Sequence, residues 1–571
     1  MPGRLSSPRK NRVLEPTRGQ CAGKTDKRSA KLASMQDAVS TATRTGEESA
    51  TVSSTRDRVE ASVITDAALA LFSALLLVIS FPDFNLWPLA WVALVPLLVV
   101  IARKPAPRRA FLLGWLTGSA FFYGSCYWLT YSMIHYGELS AWLAYALLVP
   151  GALLVGLFPA VAALALAPSV RRLGPRALFA APLLWATLEW SRLSITGQLW
   201  NAIGYSQAFH PALIQSARWG GVYAVGFLIV LVNSSIAFVL LKRTSTAIAI
   251  TAVVVVCVAA VLLVTKVTSS SQKPVTSTDQ VDAAAVVALQ PNVPMEPIDS
   301  TQEVQQLINR HVMMSASALR ELKSNDVPRL LIWPESPMNF RYAGDSEFRD
   351  LVARLARENH TAILFNSQEP APDNGWYNSA ALVNEEGRLI AQYDKIRLMP
   401  FGEYVPLPHW LPGSNSVRAM VGDFTPGTKY TLMPVGSERA GVFICIESAY
   451  PWIARTFTAE GADVLINISN DGYLGPTAVM QQHLANVVFR AVENDRPLLR
   501  VTNTGISAFI SANGDVKDPT QTFQTAVRTW TMTRNRNEKT FYTNHGDLFV
   551  AACAAMSLLI LGVSFRARVV V

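Results

Sequence analysis

GVFICIESAYP, residues 441–451, is the stretch on which the reading of this chain turns. An apolar run, GVFI, ends on Cys445, and the residues after it turn toward a helical pattern. A strand that stops where a helix opens exposes a side chain and offers backbone N–H groups that no helix carbonyl occupies. From about Val281, short β-branched runs alternate with amphipathic helical patterns, which predicts a layered α/β domain. The runs AAAVVALQPNV, RLLIWPES, TAILFNSQ, NSAALVN, GVFICIES, ADVLINISND, PLLRVTN and SAFISANGDV read as strands. Between them, Val304, Leu307, Ile308, His311 and Val312 recur at helical spacing, as do Phe348, Leu351, Val352, Leu355 and Ala356. Such a sheet is covered on a face, and its polar groups gather at strand ends.

Two further strand ends carry unusual chemistry. Glu335 follows LLIW in WPES, where Pro334 fixes the backbone just before the carboxylate. Lys395 lies in YDKIRLMPFGEYVP, a segment with two prolines and a glycine that reads as a rigid loop. Of the five cysteines, Cys21 lies near the start, Cys126, Cys257 and Cys553 lie in apolar runs, and only Cys445 lies in the long polar region. A lone thiol outside the cytoplasm is a liability unless buried or used. A buried structural cysteine is the plain alternative. A nucleophilic Cys gains from a nearby base and cation. Glu can take its proton and return it to a leaving group, and Lys can stabilise an oxyanion. Spacing alone leaves open whether the three converge.

Outward from this domain the composition changes. Half of the 571 residues are hydrophobic and 16% are charged, with a mean hydropathy of +0.24, too apolar for an ordinary soluble enzyme. Spanning helices need roughly 20 apolar residues. Eight candidates meet or approach this: about 63–80, 86–102, 110–131, 139–167, 177–192, 221–241, 246–265 and 548–565. Arg103, Lys104, Arg108 and Arg109 follow the second span, Arg171, Arg172 and Arg176 the fourth, Lys242 and Arg243 the sixth, and Arg566 and Arg568 the last. FPDFN and SMIHYGEL, on the opposite side, contain no Lys or Arg. By the positive-inside rule this places both termini in the cytoplasm and the polar region outside it, with Lys266 a mild exception and the connection containing Arg192 and Arg218 too mixed to count. The expected domains are a disordered cytoplasmic tail (1–60), a seven-span bundle (61–266), an extracytoplasmic catalytic domain (267–547), and a last span with a short cytoplasmic end (548–571). The net charge of +9 resides mainly in the tail and short loops, so nucleic-acid binding is not expected. Glu189, beside Trp190 at the end of the fifth span, reads either as a functional group at membrane depth or as an interfacial anchor.

WPES, YDKIRLMPFGEYVP and ICIES resemble the Glu, Lys and Cys motifs of the nitrilase superfamily. With PFGEYVP, NISNDGYLG, RPLLRVTNTGISAFI and TGQLWNAIGYSQ, the chain over roughly 63–565 is similar to the apolipoprotein N-acyltransferase family, its membrane-embedded branch. The resemblance implies a multi-span α-helical membrane bundle joined to an αββα nitrilase-like domain. It implies Cys445 as nucleophile, Glu335 as general base and acid, Lys395 as oxyanion stabiliser, Glu403 and Glu447 as supporting carboxylates, and Tyr473 as a substrate contact. The implied partners are a phospholipid acyl donor and a diacylated apolipoprotein acceptor at the bacterial inner membrane, with the catalytic domain periplasmic. A monomer is expected, with no cofactor and no metal. Ile446 replaces a common Tyr, Tyr473 a common Trp, and no Trp follows the Gln290 to Asn292 element. The same trio would also serve a membrane-tethered amidase or nitrilase acting on a small soluble substrate, or a paralogue with a different amine acceptor. A non-enzymatic scaffold or transporter would use the bundle alone.

Overall fold

The computed structural model describes residues 61–197, 199–270, 282–295, 300–322, 327–373, 375–405, 410, 424–533 and 538–566. The expected tail, 1–60, lies outside them. The chain divides into Met1–Thr65, of which only the start of a helix is described, and Asp66–Val571, which holds everything below.

Helices stand at all eight expected places, but among the described residues five stretches are long and apolar enough to cross a membrane: Ala61–Ser80, Ala141–Thr196, Ala217–Lys242, Ser245–Val267 and Leu548–Phe565. The count differs from eight for physical reasons. The fourth and fifth expected spans form one apolar stretch, helix Ala141–Leu173 running through a 3-10 turn into helix Ala181–Thr196. The second is divided into a 3-10 turn, Trp87–Trp91, and a short helix, Val95–Arg103. The third, Pro107–Ser125, is diluted by Arg108, Arg109 and several Gly, Ser and Thr residues. Those small residues have a use. A Cβ on Gly114 would stand 2.7 Å from Ala163 Cβ, and one on Gly118 2.8 Å from Pro159 Cγ. Close helix contact of this kind supplies packing where no hydrophobic effect drives helices together.

Twelve strands are present among the described residues: β1 (Asp282–Gln290), β2 (Arg329–Ile332), β3 (Ala362–Pro370), β4 (Trp376–Val383), β5 (Leu389–Asp394), β6 (Leu432–Val435), β7 (Glu438–Ile444), β8 (Val464–Ser469), β9 (Leu498–Thr502), β10 (Ala508–Ile510), β11 (Val516–Lys517) and β12 (Ala526–Thr533). They form two six-stranded sheets, ordered β12-β1-β2-β3-β4-β5 and β11-β10-β9-β8-β7-β6. The alternation of strand side chains fixes the layers. Ala284, Val286 and Ala288 of β1, with Leu330, Ile332 and Leu364, share a core with Val442, Ile444, Ile466 and Ile468 of the second sheet. Their neighbours Val287, Leu289, Leu331 and Phe365 face the other way, against Leu319 of helix Thr301–Glu321 and Phe348, Val352 and Leu355 of helix Ser346–Glu358. Helices Pro451–Glu460 and Val479–Asn494 cover the second sheet, whose β8 and β9 are wholly buried. The result is an αββα sandwich joined to a membrane-type helical part, as the sequence resemblance implies. Helix Val479–Asn494 also packs on helix Ala217–Lys242, so the sandwich rests on the bundle.

Candidate active site

Three strand ends deliver the candidate residues. Glu335 follows β2 by three residues, while Lys395 and Cys445 come directly after β5 and β7. Lys395 is buried, and its Nζ lies 3.4 Å from Glu335 Oε1 and 2.9 Å from Glu403. Burial opposes its charge, but the two carboxylates outweigh that cost and hold the ammonium above the usual lysine range. Asn378, on β4, donates from Nδ2 to both carboxylates, at 2.9 Å to Glu335 and 2.6 Å to Glu403. The second oxygen of Glu335 accepts from the Asn470 N–H at 3.0 Å, and that of Glu403 from the Met399 N–H at 2.7 Å. Glu403 therefore folds residues 400–405 back onto the lysine it pairs with.

Cys445 sits at φ +51°, in the left-handed region that side-chain-bearing residues rarely adopt. Burial pushes its thiol well above the ordinary cysteine range; the Glu335 carboxylate adds to the rise and Lys395 counters it. The resting sulfur is therefore a thiol within the field of both charges. Glu447, fully buried two residues on, joins this turn to the lysine loop. Its Oε1 accepts from Tyr393 OH, Ile396 N–H and Arg397 N–H, at 2.8, 2.8 and 3.0 Å, and its Oε2 from the Ile444 N–H at 2.8 Å. Burial pushes this carboxyl up to about 7 although all four partners favour the charged form.

Tyr473 is half exposed, its ring edge-on to Tyr136 and its carbonyl accepting from Ser132 Oγ at 2.6 Å. It thus sits where the sandwich meets the Leu129–His135 helix. Ile446, by contrast, is buried in the apolar core. Glu189 is buried rather than interfacial, and its Oε1 accepts from Trp185 Nε1 and the Ile203 N–H. No group of three or more His, Cys, Asp or Glu side chains that could hold a metal ion occurs among the described residues.

Reading the sequence missed Asn378, Asp471 and His483. Asn378 carries a faint signal, an amide at the head of the apolar run SAALV. His483 carries none, since its partner Asp471 lies across a loop and its other partner is a main-chain carbonyl.

The model for the apolipoprotein N-acyltransferase N-terminal domain matches residues 73–235, and that for the carbon-nitrogen hydrolases matches 283–540. The chain is 34% identical over 513 residues to the apolipoprotein N-acyltransferase of Geobacter metallireducens, covering 88% of this chain and 96% of that protein. It is 28% identical over 524 residues to that of Chlorobaculum tepidum, covering 86% and 94%. Among solved structures, an amidase from Nesterenkonia sp. AN1 overlaps at TM-score 0.35 and 16% identity, covering 48% of this chain and 96% of that one. That overlap is too slight to add to the fold described above.

Proposed function

The chain belongs to the apolipoprotein N-acyltransferase family, and from that premise we propose that it moves an acyl chain from a membrane phospholipid, through a thioester on Cys445, to the α-amine of the N-terminal diacylglyceryl-cysteine of bacterial lipoproteins. The observation that carries this reading is the buried Lys395 between Glu335 and Glu403, with the left-handed Cys445 within the field of that cluster.

In the first half-reaction the Cys445 sulfur attacks the ester carbonyl carbon as its proton passes to Glu335. Proton transfer accompanies attack because the resting sulfur is a thiol. Lys395 stabilises the oxyanion, with a backbone N–H of the cysteine turn as second donor. Collapse breaks the ester C–O bond, and Glu335 returns the proton to the departing lysophospholipid alkoxide. In the second half the acceptor amine attacks the thioester carbonyl and gives a proton to Glu335. The C–S bond breaks, an amide forms, and the proton restores the thiol. Glu403 and Glu447 hold the lysine and the cysteine turn, and Tyr473 contacts substrate at the bundle side.

The lipid substrates favour this architecture. At about 0.8 kcal/mol per buried methylene, withdrawing a long chain into water would be prohibitive, so the site must meet the bilayer. Loop charges support an inner-membrane orientation with the catalytic domain periplasmic and both termini cytoplasmic. A single chain supplies every residue of the mechanism, which supports action as a monomer.

Mass spectrometry of the purified full chain after incubation with phospholipid tests the proposal, with Cys445→Ala and Glu335→Ala alongside. The expected result is an acyl-sized adduct on Cys445 that a diacylated lipopeptide discharges to an N-acylated product, absent in both variants. No adduct under any lipid condition would overturn the thioester. Lipid-independent hydrolysis of small amides would favour a tethered amidase instead.

A further inference from the structure

Behind the cysteine turn lies a buried polar relay that the mechanism above does not use. His483, on helix Val479–Asn494, points Nδ1 at Asp471 Oδ1, 2.8 Å away, and Nε2 at the main-chain oxygen of Cys445, 3.0 Å away. Asp471 follows β8 and is fixed from three sides. Arg500 Nη2 of β9 donates to its Oδ2 at 2.7 Å, and Ser469 Oγ and His483 share its Oδ1. Asp471, His483 and Arg500 are each at most 2% exposed.

Both partners of the ring are acceptors. Asp471 is bonded to an arginine, which only donates, so its carboxylate is ionised, and a carbonyl oxygen has no hydrogen to give. A ring with hydrogen on one nitrogen would leave a lone pair facing an oxygen lone pair at hydrogen-bond distance. Meanwhile the Cys445 carbonyl belongs to a residue in a strained backbone region, and such a conformation persists only where its surroundings over-determine it. We propose that His483, hydrogen-bonded to Asp471 on one side and to the Cys445 carbonyl on the other, is a positioning residue that holds the nucleophile in its left-handed turn, and that it does so as an imidazolium with hydrogen on both nitrogens.

The neighbouring residue anchors the same helix on the bundle. Gln482 accepts from Trp128 and Trp200 and donates to the carbonyls of Pro82 and Ser125. The helix that carries His483 is therefore held by the membrane half at the point where it meets the nucleophile. The inference rests on the reading of Cys445 as the nucleophile.

Two amide substitutions in the full-length enzyme separate the ring's two bonds. In His483→Gln the amide reaches the Nε2 position and still donates to the Cys445 carbonyl; in His483→Asn the shorter amide reaches Asp471 alone. Phospholipid-dependent acylation of Cys445 is expected to slow on the order of 100-fold in His483→Asn, the scale of a small misplacement of a reacting atom. It should stay within roughly tenfold of wild type in His483→Gln, with KM for phospholipid changed less than about threefold in either. An Asn variant as fast as the Gln variant would overturn the proposal. Should both variants lose their thermal transition, nitrogen NMR of histidine-labelled wild type decides: hydrogen on both His483 nitrogens supports the proposal, and a bare nitrogen overturns it. If wild type forms no adduct on Cys445, the nucleophile reading fails instead, and the NMR still judges the imidazolium.

Discussion

Glu447→Gln isolates what a buried carboxylate does for a site it does not enter. The carboxylate accepts four hydrogen bonds, three at Oε1 from the segment around Lys395 and one at Oε2 from the residue before Cys445. A glutamine keeps the larger set by turning its NH₂ toward the Ile444 N–H. Two donors then face each other in a fully buried place, at a cost of about 1–3 kcal/mol. The chain that must yield is the turn carrying Cys445, so its acylation should slow on the order of 100-fold with KM little changed. Acidification should act like the substitution. Burial raises the Glu447 carboxyl from 4.5 to about 7, so below that value it carries a proton with no acceptor nearby and one donor is displaced. Wild-type acylation should therefore fall on the acid side with a midpoint near pH 7, and the glutamine variant should lack that limb. The effect on stability has the opposite sign. A carboxyl raised in the folded state contributes stability at low pH that is lost as pH rises through its folded value. Glu493, also pushed up to about 7 by burial, acts in the same direction away from the site. Acidification from pH 8 to 6 should thus lower acylation while these two groups raise Tm, so unfolding cannot mimic the result. Mass-spectrometric acylation rates and thermal unfolding over that range supply both readouts. A glutamine variant with the wild-type rate and the wild-type acid limb would refute the reasoning.

Three further outcomes follow from contacts already described. Lys395→Met should abolish turnover and lower stability by about 3–5 kcal/mol, because it leaves the buried Glu403 and the partly buried Glu335 without their cation; turnover and Tm check this together. Asn378→Leu removes the amide shared by Glu335 and Glu403 and should cost about 1–3 kcal/mol, with a Lys395→Met, Asn378→Leu double variant showing marked non-additivity in Tm. Gly114→Leu should destabilise by about 1–3 kcal/mol or more, since even its Cβ meets Ala163 at 2.7 Å. The folded fraction of that variant in detergent should still acylate Cys445 at the wild-type rate.

The central strands were legible because burial on both faces writes a continuous apolar run: all eight runs named from the sequence contain a strand. The missed strands, β5, β6 and β12, all lie at sheet edges, as does the two-residue β11 that ends SAFISANGDV. An edge strand is wet on one side, so LIAQYD and AVRTWTMT mix polar and apolar residues, and LMPV carries a proline tolerated where ladder bonds are missing. Nor could the pairing of β12 with β1, some 240 residues apart in sequence, be read from either. At the site, Glu335, Lys395 and Cys445 announced themselves by type and by standing at strand ends. Their supports did not. Asn378, Asp471 and His483 act through partners 12 to 43 residues distant or through main-chain atoms, which no local pattern records. Membrane helices were legible as apolar runs, but not where a span breaks at a 3-10 turn or trades apolarity for a Gly and Ser seam.

One helix gives these separate parts a common logic. Val479–Asn494 lies against the second sheet on one side and against Ala217–Lys242 on the other. Its Gln482 is bonded into the bundle, its His483 to the cysteine turn, and its Arg490 and Glu493 form a buried pair that also binds Tyr205 OH and the Val222 N–H. Removing one partner of such a pair would leave a charge in a place that water cannot reach. A soluble catalytic domain cut away from its bundle would expose all of these contacts at once, beside the helix that supports the cysteine turn. The membrane half is thus more than a tether. It completes the hydrogen bonding of the helix behind Cys445, so sandwich and bundle share one set of buried polar contacts and neither is satisfied without the other.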